Sequence, residues 1–168
     1  MPVVVLNADA DSFDQMIANR LEPEIYSFRS LADFADAVSH AGETRYPVHI
    51  KLDTGMHRLG FMEGEIGRLC EVLPTLPAVK VASVFSHLNC ADMPGEDAYT
   101  REQIARYDRM SAAVAASLPY SVIRHTANSA AIERFPEARF DMCRLGLGLY
   151  GFGWEHNAGL RPVSALKT

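Results

Sequence analysis

Cysteine and tryptophan are scarce in this chain, and long runs of a single chemical kind are missing altogether. Cys70, Cys90 and Cys143 are its three cysteines among 168 residues, with no C-x-x-C pair. An odd, widely spaced set excludes a disulfide framework and points to reduced thiols. No apolar run approaches the roughly 20 residues of a membrane-spanning helix, and no charged-then-apolar signal segment opens the chain. The formal net charge is −5, and no Lys/Arg run is long enough to track a phosphate backbone. Neither nucleic acid nor a membrane is therefore an expected partner, and a cytoplasmic location is expected. No G-x-G-x-x-G follows the first apolar stretch, which argues against dinucleotide binding. No second histidine or acid stands at a metal-ligand spacing from His87, so no metal site is expected.

Hydrophobic residues make up 48% and charged residues 22%, an ordinary balance for one domain with a real core. Their order carries more information than their amount. Residues 2–6 (PVVVL) read as a strand, followed by a helical pattern with Phe13, Met16, Ile17 and Leu21 on one face. A strand over 24–28 precedes a helix from 30 to 42, with Ser30 as its N-cap and Gly42 as its stop. Strands are expected at 48–53, 80–87, 121–127 and 140–151, and helices at 63–73, 99–118 and 128–135. About six strand–helix units in strict alternation imply an α/β fold with a parallel sheet covered by helices.

Such a sheet either stays open and doubly wound or closes as a (β/α)8 TIM barrel. In a barrel, polar groups gather at the C-terminal ends of the strands. Lys51, Asp53, His87, Asn128, Ser129 and Arg144 all fall at or near such ends, which favours the barrel. A complete barrel takes about 250 residues, so this length corresponds to a partial TIM barrel.

The stretch VHIKLDTGMHRLGF (48–61) places His49, Lys51 and Asp53 on one side of a strand and Val48, Ile50 and Leu52 on the other. A buried ammonium needs a partner, so Lys51 is expected to pair with Asp53 or another acid, or to serve a site. His87 ends its strand where an imidazole could stack on a flat ligand. Asn128 or Ser129 would cap the following helix, and a hydroxyl beside free amides is also a ready anion site. In RLGLGLYG (144–151), Gly146 and Gly148 allow backbone amides to approach a ligand, with Arg144 as a fixed cation. Barrels commonly bind phosphate after their last two strands.

As a set, K-x-D-T-G-M-x-R-L-G-F (51–61), Ser86-His87, H-x-x-N-S-A-A (125–131) and R-x-G-x-x-L-Y-G (144–151) closely resemble alanine racemases, in order and approximate spacing. The resemblance implies a pyridoxal 5'-phosphate-binding barrel over residues 1–152 and a linker over 153–168 leading to a C-terminal β-domain. It implies a parent that interconverts L- and D-alanine for peptidoglycan synthesis and works as a homodimer. By the same resemblance Lys51, often carbamylated in the family, would support Arg58, and Arg58 would donate to the cofactor's phenolic oxygen near the substrate carboxylate. His87 would pack on the pyridine ring and contact Arg144, and Arg144 would face the ring nitrogen. Ser129 and the amides of Gly146 and Leu147 would hold the phosphate, with Asn128 alongside and Leu6 lining the ring pocket.

The family's cofactor-attaching lysine, in K-A-x-A-Y-G-H-G, does not occur in these residues, nor does its second base, a tyrosine of the partner's C-terminal domain. The isolated chain is therefore expected to be inactive, to bind the cofactor weakly and to self-associate. Leu88-Asn89 and Leu145 depart from residues common in the family, which bears on substrate breadth. The rival expectations are a non-catalytic pyridoxal-phosphate-binding barrel and an interaction module with a vestigial pocket.

Overall fold

The computed structural model describes residues 2–154 and 159–163. Its strands are β1 (Val4–Val5), β2 (Glu22–Ile25), β3 (Tyr46–Lys51), β4 (Val79–Phe85) and β5 (Ile123–His125). Between and after them lie α1 (Phe13–Ala18), α2 (Phe28–His40), α3 (Ile66–Val72), α4 (Asp97–Ala116) and α5 (Ser129–Arg134). Every pairing is parallel, and the spatial order is β1-β2-β3-β4-β5. A doubly wound sheet reverses its order at a switch point; a barrel lays each strand beside its predecessor. The fold is accordingly α/β, a partial TIM barrel.

The helices cover one face of the sheet because each brings an apolar stripe to it. Ile25, Val48, Ile50, Leu52, Val81 and Val84 meet Phe13, Met16, Leu31, Phe34, Leu69, Tyr107 and Met110 in one buried cluster. Full burial of each large apolar side chain contributes roughly 1.5–3 kcal/mol, before the entropy of ordering it. Phe34 stands edge-on to Phe13 and Tyr46, with ring centroids at 5.0 and 5.5 Å.

Strand β4 carries an irregularity that decides what faces inward. Val48 pairs with Val81 but His49 pairs with Ser83, so Ala82 is an extra residue. A bulge of this kind reverses the side-chain parity beyond it. Val81 and Val84 thereby both join the helix-side core, while Ser83 and Phe85 turn to the opposite face.

Several boundaries differ from the sequence reading. The N-cap of α2 is Ser27, not Ser30: Ser27 Oγ accepts the Ser30 amide, and Ser30 Oγ accepts the Ser27 amide, each at 3.1 Å. Two hydroxyls three residues apart make a reciprocal box, and the first of them is the cap. Residues 140–151 are not a strand. Asp141 and Arg144 donate their amides to Arg124 and Ala127, but Phe140 lies at φ +45° and Leu147–Tyr150 form a 3-10 turn. The sixth expected unit is thus a loop laid along β5. Trp154, at the start of the expected linker, is half-buried against α5, with the Arg134 guanidinium 4.5 Å from its ring. Within the expected linker, residues 155–158, including His156 and Asn157, and 164–168 lie outside the described residues.

The loop after β3 is tightly tied. Asp53 Oδ1 accepts the amides of Gly55 (2.9 Å) and His57 (3.1 Å), so Asp53 organises the turn that carries Arg58. Phe61 closes it by exchanging backbone hydrogen bonds of 2.9 Å with Lys51 and Asp53. Gly60 makes that closure possible, since at φ +129° a Cβ would stand 2.6 Å from the Asp53 amide nitrogen. Gly60→Ala is expected to lower unfolding free energy by more than about 2 kcal/mol, from a left-handed backbone plus a backbone clash. Urea denaturation measures it, and a loss below about 0.5 kcal/mol would contradict this view of the loop.

Candidate active site

The face of the sheet away from the helices is polar and buried. Glu24 on β2, His49 and Lys51 on β3, Ser83 and Phe85 on β4, and His125 on β5 are each no more than 8% exposed. Parity supplies this face directly on β3, and the bulge at Ala82 extends it across β4. The partner of Lys51 is Glu24, at 3.6 Å, and not Asp53. Lys51 Nζ also lies 4.8 Å from the centre of the Phe85 ring. Glu24 in turn accepts the Asn7 amide at 2.7 Å, which brings the exit of β1 to the same end of the sheet. Leu6 precedes that amide and is 64% exposed.

Arg144 is the centre of the arrangement. Its Nη1 donates to His125 Nδ1 (3.0 Å), and its Nη2 donates to His87 Nδ1 (3.2 Å) and to the Thr126 carbonyl (3.3 Å). The Phe85 ring lies between 5 and 6 Å away, at 5.5 Å, and is itself stacked on His125 with centroids 5.0 Å apart. No carboxylate lies within ion-pair distance of Arg144 among the described residues. Guanidinium is donor-only, so both imidazoles must offer a bare Nδ1 and carry their proton on Nε2.

The electrostatics agree with that assignment. Burial first, then the charges of Arg144, Lys51 and Arg58, push His87 down to about 4. Burial first, then the charge of Arg144, push His125 down to about 3. Burial likewise lowers Lys51, with Arg144 and Arg58 adding to the effect and Glu24 opposing it. Both histidines beside Arg144 are therefore neutral at neutral pH.

Arg58 is exposed and has no hydrogen bond or ion pair among the described residues; its charge reaches Lys51 and His87 through space. Asn128 is the N-cap of α5, accepting the Ala131 amide and donating to the Leu88 carbonyl, both at 3.0 Å. Ser129 Oγ accepts the amides of Gly146 (3.0 Å) and Gly148 (3.2 Å), which draws the glycine turn over the start of α5. A Cβ on Gly146 would only touch that hydroxyl, at 3.8 Å, whereas one on Gly148 would stand 2.6 Å from Leu145 Cδ1. Leu147, between the two, is exposed.

Of the residues singled out in the sequence, Lys51 and Arg144 come together on Phe85 with His87 bonded to Arg144, and Ser129 and Gly146 meet in the adjoining cradle, where Gly148 and not Leu147 supplies the second amide to Ser129. Glu24, Phe85 and His125 were missed as site residues. His125 stood inside the H-x-x-N-S-A-A motif, and the alternation of Glu22 and Glu24 about Pro23 was the signal for the acid on β2.

A flat anion suits this arrangement. The cradle gathers the Ser129 hydroxyl and the glycine-turn backbone beside Arg144, the charges of Arg144 and Arg58 both reach Lys51 and His87, and Glu24 is the acid in contact with Lys51. Arg144 Nε–H and one Nη1–H remain without partners among the described residues, ready for an acceptor on a ligand. Pyridoxal phosphate has that shape, that charge and that ring acceptor.

Stability should follow the two imidazoles. Unfolded histidine binds a proton near pH 6.5, whereas folded His87 and His125 bind theirs only near 4 and 3. Between those values the unfolded chain holds more protons, so stability is full above pH 6.5 and is lost as pH falls through 4 and 3. Urea midpoints measured from pH 7 to pH 4 are expected to fall, and His125→Asn is expected to flatten the slope. A wild-type midpoint unchanged over that range would contradict the neutral pair.

The comparisons with known proteins bear on the family and the fold. The sequence profile described as alanine racemase, N-terminal domain, matches residues 1–153. The alanine racemase of Symbiobacterium thermophilum is 47% identical over 125 residues, covering 72% of this chain and 33% of that protein. The alanine racemase of Streptomyces coelicolor A3(2) superposes with a TM-score of 0.88 at 27% identity, covering 97% of this chain and 45% of that one. The alanine racemase of Bartonella henselae, solved with covalently bound pyridoxal phosphate, shares the fold with a TM-score of 0.78 at 23% identity, over 99% of this chain and 44% of its own. The chain thus spans less than half the length of each of these proteins. Taken with the matched residues 1–153, these findings show that the chain belongs to the alanine racemase N-terminal domain family.

Proposed function

We propose that this chain is the cofactor-holding part of a pyridoxal-phosphate-dependent alanine racemase that interconverts L- and D-alanine. The observation that carries the reading is Arg144, a half-buried guanidinium held by two imidazoles and, among the described residues, by no carboxylate, beside the Ser129–Gly146–Gly148 cradle. In this reading residues 1–152 are the barrel portion and 153–168 lead to a further domain. The whole protein is a cytoplasmic homodimer that supplies D-alanine for peptidoglycan.

Pyridoxal phosphate, when bound, supplies an electron-withdrawing ring that acidifies the α-hydrogen of an attached amino acid. The chain's residues bind and tune it. Ser129, with the amides of Gly146 and Leu147, holds the phosphate, while Asn128 fixes the start of α5 beneath it. Arg144 donates to the ring nitrogen and, being donor-only and permanently charged, keeps a proton off that atom. Less negative charge is then drawn into the ring, which favours return of the proton to the α-carbon. His87 packs against the ring as a neutral imidazole, and Leu6 borders it. Arg58, uncommitted in the structure, reaches the phenolic oxygen and the substrate carboxylate. Addition of carbon dioxide to the neutral Lys51 amine, with loss of one proton to solvent, would put a carbamate anion in place of the ammonium and exchange its partner Glu24 for Arg58; the burial that lowers Lys51 favours that neutral amine.

Proton removal on one face and delivery on the other need two bases. The family's lysine motif is absent from these residues and the family's tyrosine lies in another domain, so the chain alone is inactive. Exposed Val3, Val4 and Leu6 along β1, and Met142, Leu145, Leu147 and Leu149 on the opposite side, give it surfaces for self-association.

Replacing the matched segment of the Symbiobacterium thermophilum enzyme with this chain tests the activity. Retained racemisation of alanine is expected; a folded chimera that binds pyridoxal phosphate without racemising alanine would overturn it. The 168-residue chain itself should bind pyridoxal phosphate weakly, without the absorbance change of covalent attachment, and Ser129→Ala should erase its preference over pyridoxal. A covalent spectrum at full occupancy would contradict this. Sedimentation should find oligomers, and a monodisperse monomer at high concentration would refute the exposed-surface prediction.

A further inference from the structure

Beneath Arg144 the hydrogen bonds continue across four strands. His125 Nε2 lies 3.1 Å from Ser83 Oγ, Ser83 Oγ lies 2.6 Å from His49 Nδ1, and His49 Nε2 lies 2.7 Å from Glu22 Oε2. A carboxylate, a histidine and a serine in line resemble a nucleophile with its base. Ser83, however, is 2% exposed and takes a second imidazole on the same oxygen, so no substrate reaches it.

The direction of this chain is fixed by its ends. Arg144 can only donate, so His125 Nδ1 is bare and its Nε2–H donates to Ser83. The serine hydroxyl has one hydrogen, which then goes to His49 Nδ1. His49 therefore carries its proton on Nε2 and donates it to Glu22, an acceptor-only carboxylate. With both ends fixed, one arrangement satisfies every member, and each bond polarises the next.

We propose that Glu22, His49, Ser83 and His125 are positioning residues for Arg144, forming a one-way donor chain from β2 to β5 that locks the imidazole on which the guanidinium rests. His125 receives Arg144 on one nitrogen, is held by Ser83 on the other, and is stacked flat on Phe85 at an interplanar angle of 6°. The remaining N–H donors of Arg144 are thus aimed by residues that do not touch the ligand. The inference rests on the cofactor reading for its purpose, though not for its test.

Magic-angle-spinning NMR of the 15N-histidine- and 15N-arginine-labelled chain reads ring tautomers whatever its association state. In the wild type, His49 and His125 should each show a single Nε2–H tautomer. Ser83→Ala should turn both into tautomer mixtures and broaden the Arg144 side-chain signals, while Ser83→Thr, which keeps the hydroxyl, should restore them. Glu22→Leu should release the His49 tautomer, and Glu22→Gln, which keeps an acceptor, should preserve it. An Nδ1–H tautomer at His49 or His125 in the wild type would overturn the proposal. So would unchanged His125 and Arg144 signals in Ser83→Ala with a native-like spectrum elsewhere. Pyridoxal phosphate added to the wild type separates the two claims: an Arg144 signal that does not respond counts against the cofactor reading and leaves the donor chain standing.

Discussion

A half-buried guanidinium against a sheet must be held without losing its charge, and the rest of this structure is arranged around how Arg144 meets that need. A carboxylate would satisfy it most strongly but would neutralise the cation and occupy its donors. Two neutral imidazoles and one carbonyl take three of its five N–H donors instead, and leave the charge intact. The cost is that both imidazoles must stay unprotonated, which burial and the surrounding cations enforce.

The fold supplies that setting through parity and parallel order. Consecutive parallel strands put all strand ends on one rim, so His87 after β4, Ser129 after β5 and the Arg58 loop after β3 converge without any long-range design in the sequence. The bulge at Ala82 then adds Ser83 and Phe85 to the polar face while leaving Val81 and Val84 in the core. Phe85 is the common floor: Lys51, Arg144 and His125 all pack on its ring.

Much of this was legible in the residues. The alternation in VHIKLD gave the inward face of β3, and the motifs around His87, Ser129 and Arg144 marked the rim. What escaped notice had physical causes. Simple alternation from Val81 assigns Ser83 to the helix side, because nothing in KVASVF announces an extra residue at Ala82. Residues 140–151 alternate like a strand, yet Leu145, Leu147 and Leu149 are exposed and the segment makes two ladder-like bonds to the β5 region. Glu24 was hidden because its strand begins at Glu22, and the partner of a buried lysine is chosen by cross-strand position, not by sequence distance.

The central claim is that Arg144 rests on two uncharged rings. Titrating the imidazole signals of the folded chain one by one measures it directly. Both His87 and His125 should remain neutral at pH 5, well below the ordinary histidine value of 6.5. A folded chain in which either ring takes up its proton near pH 6.5 would contradict the account, because a charged imidazole could not accept from the guanidinium.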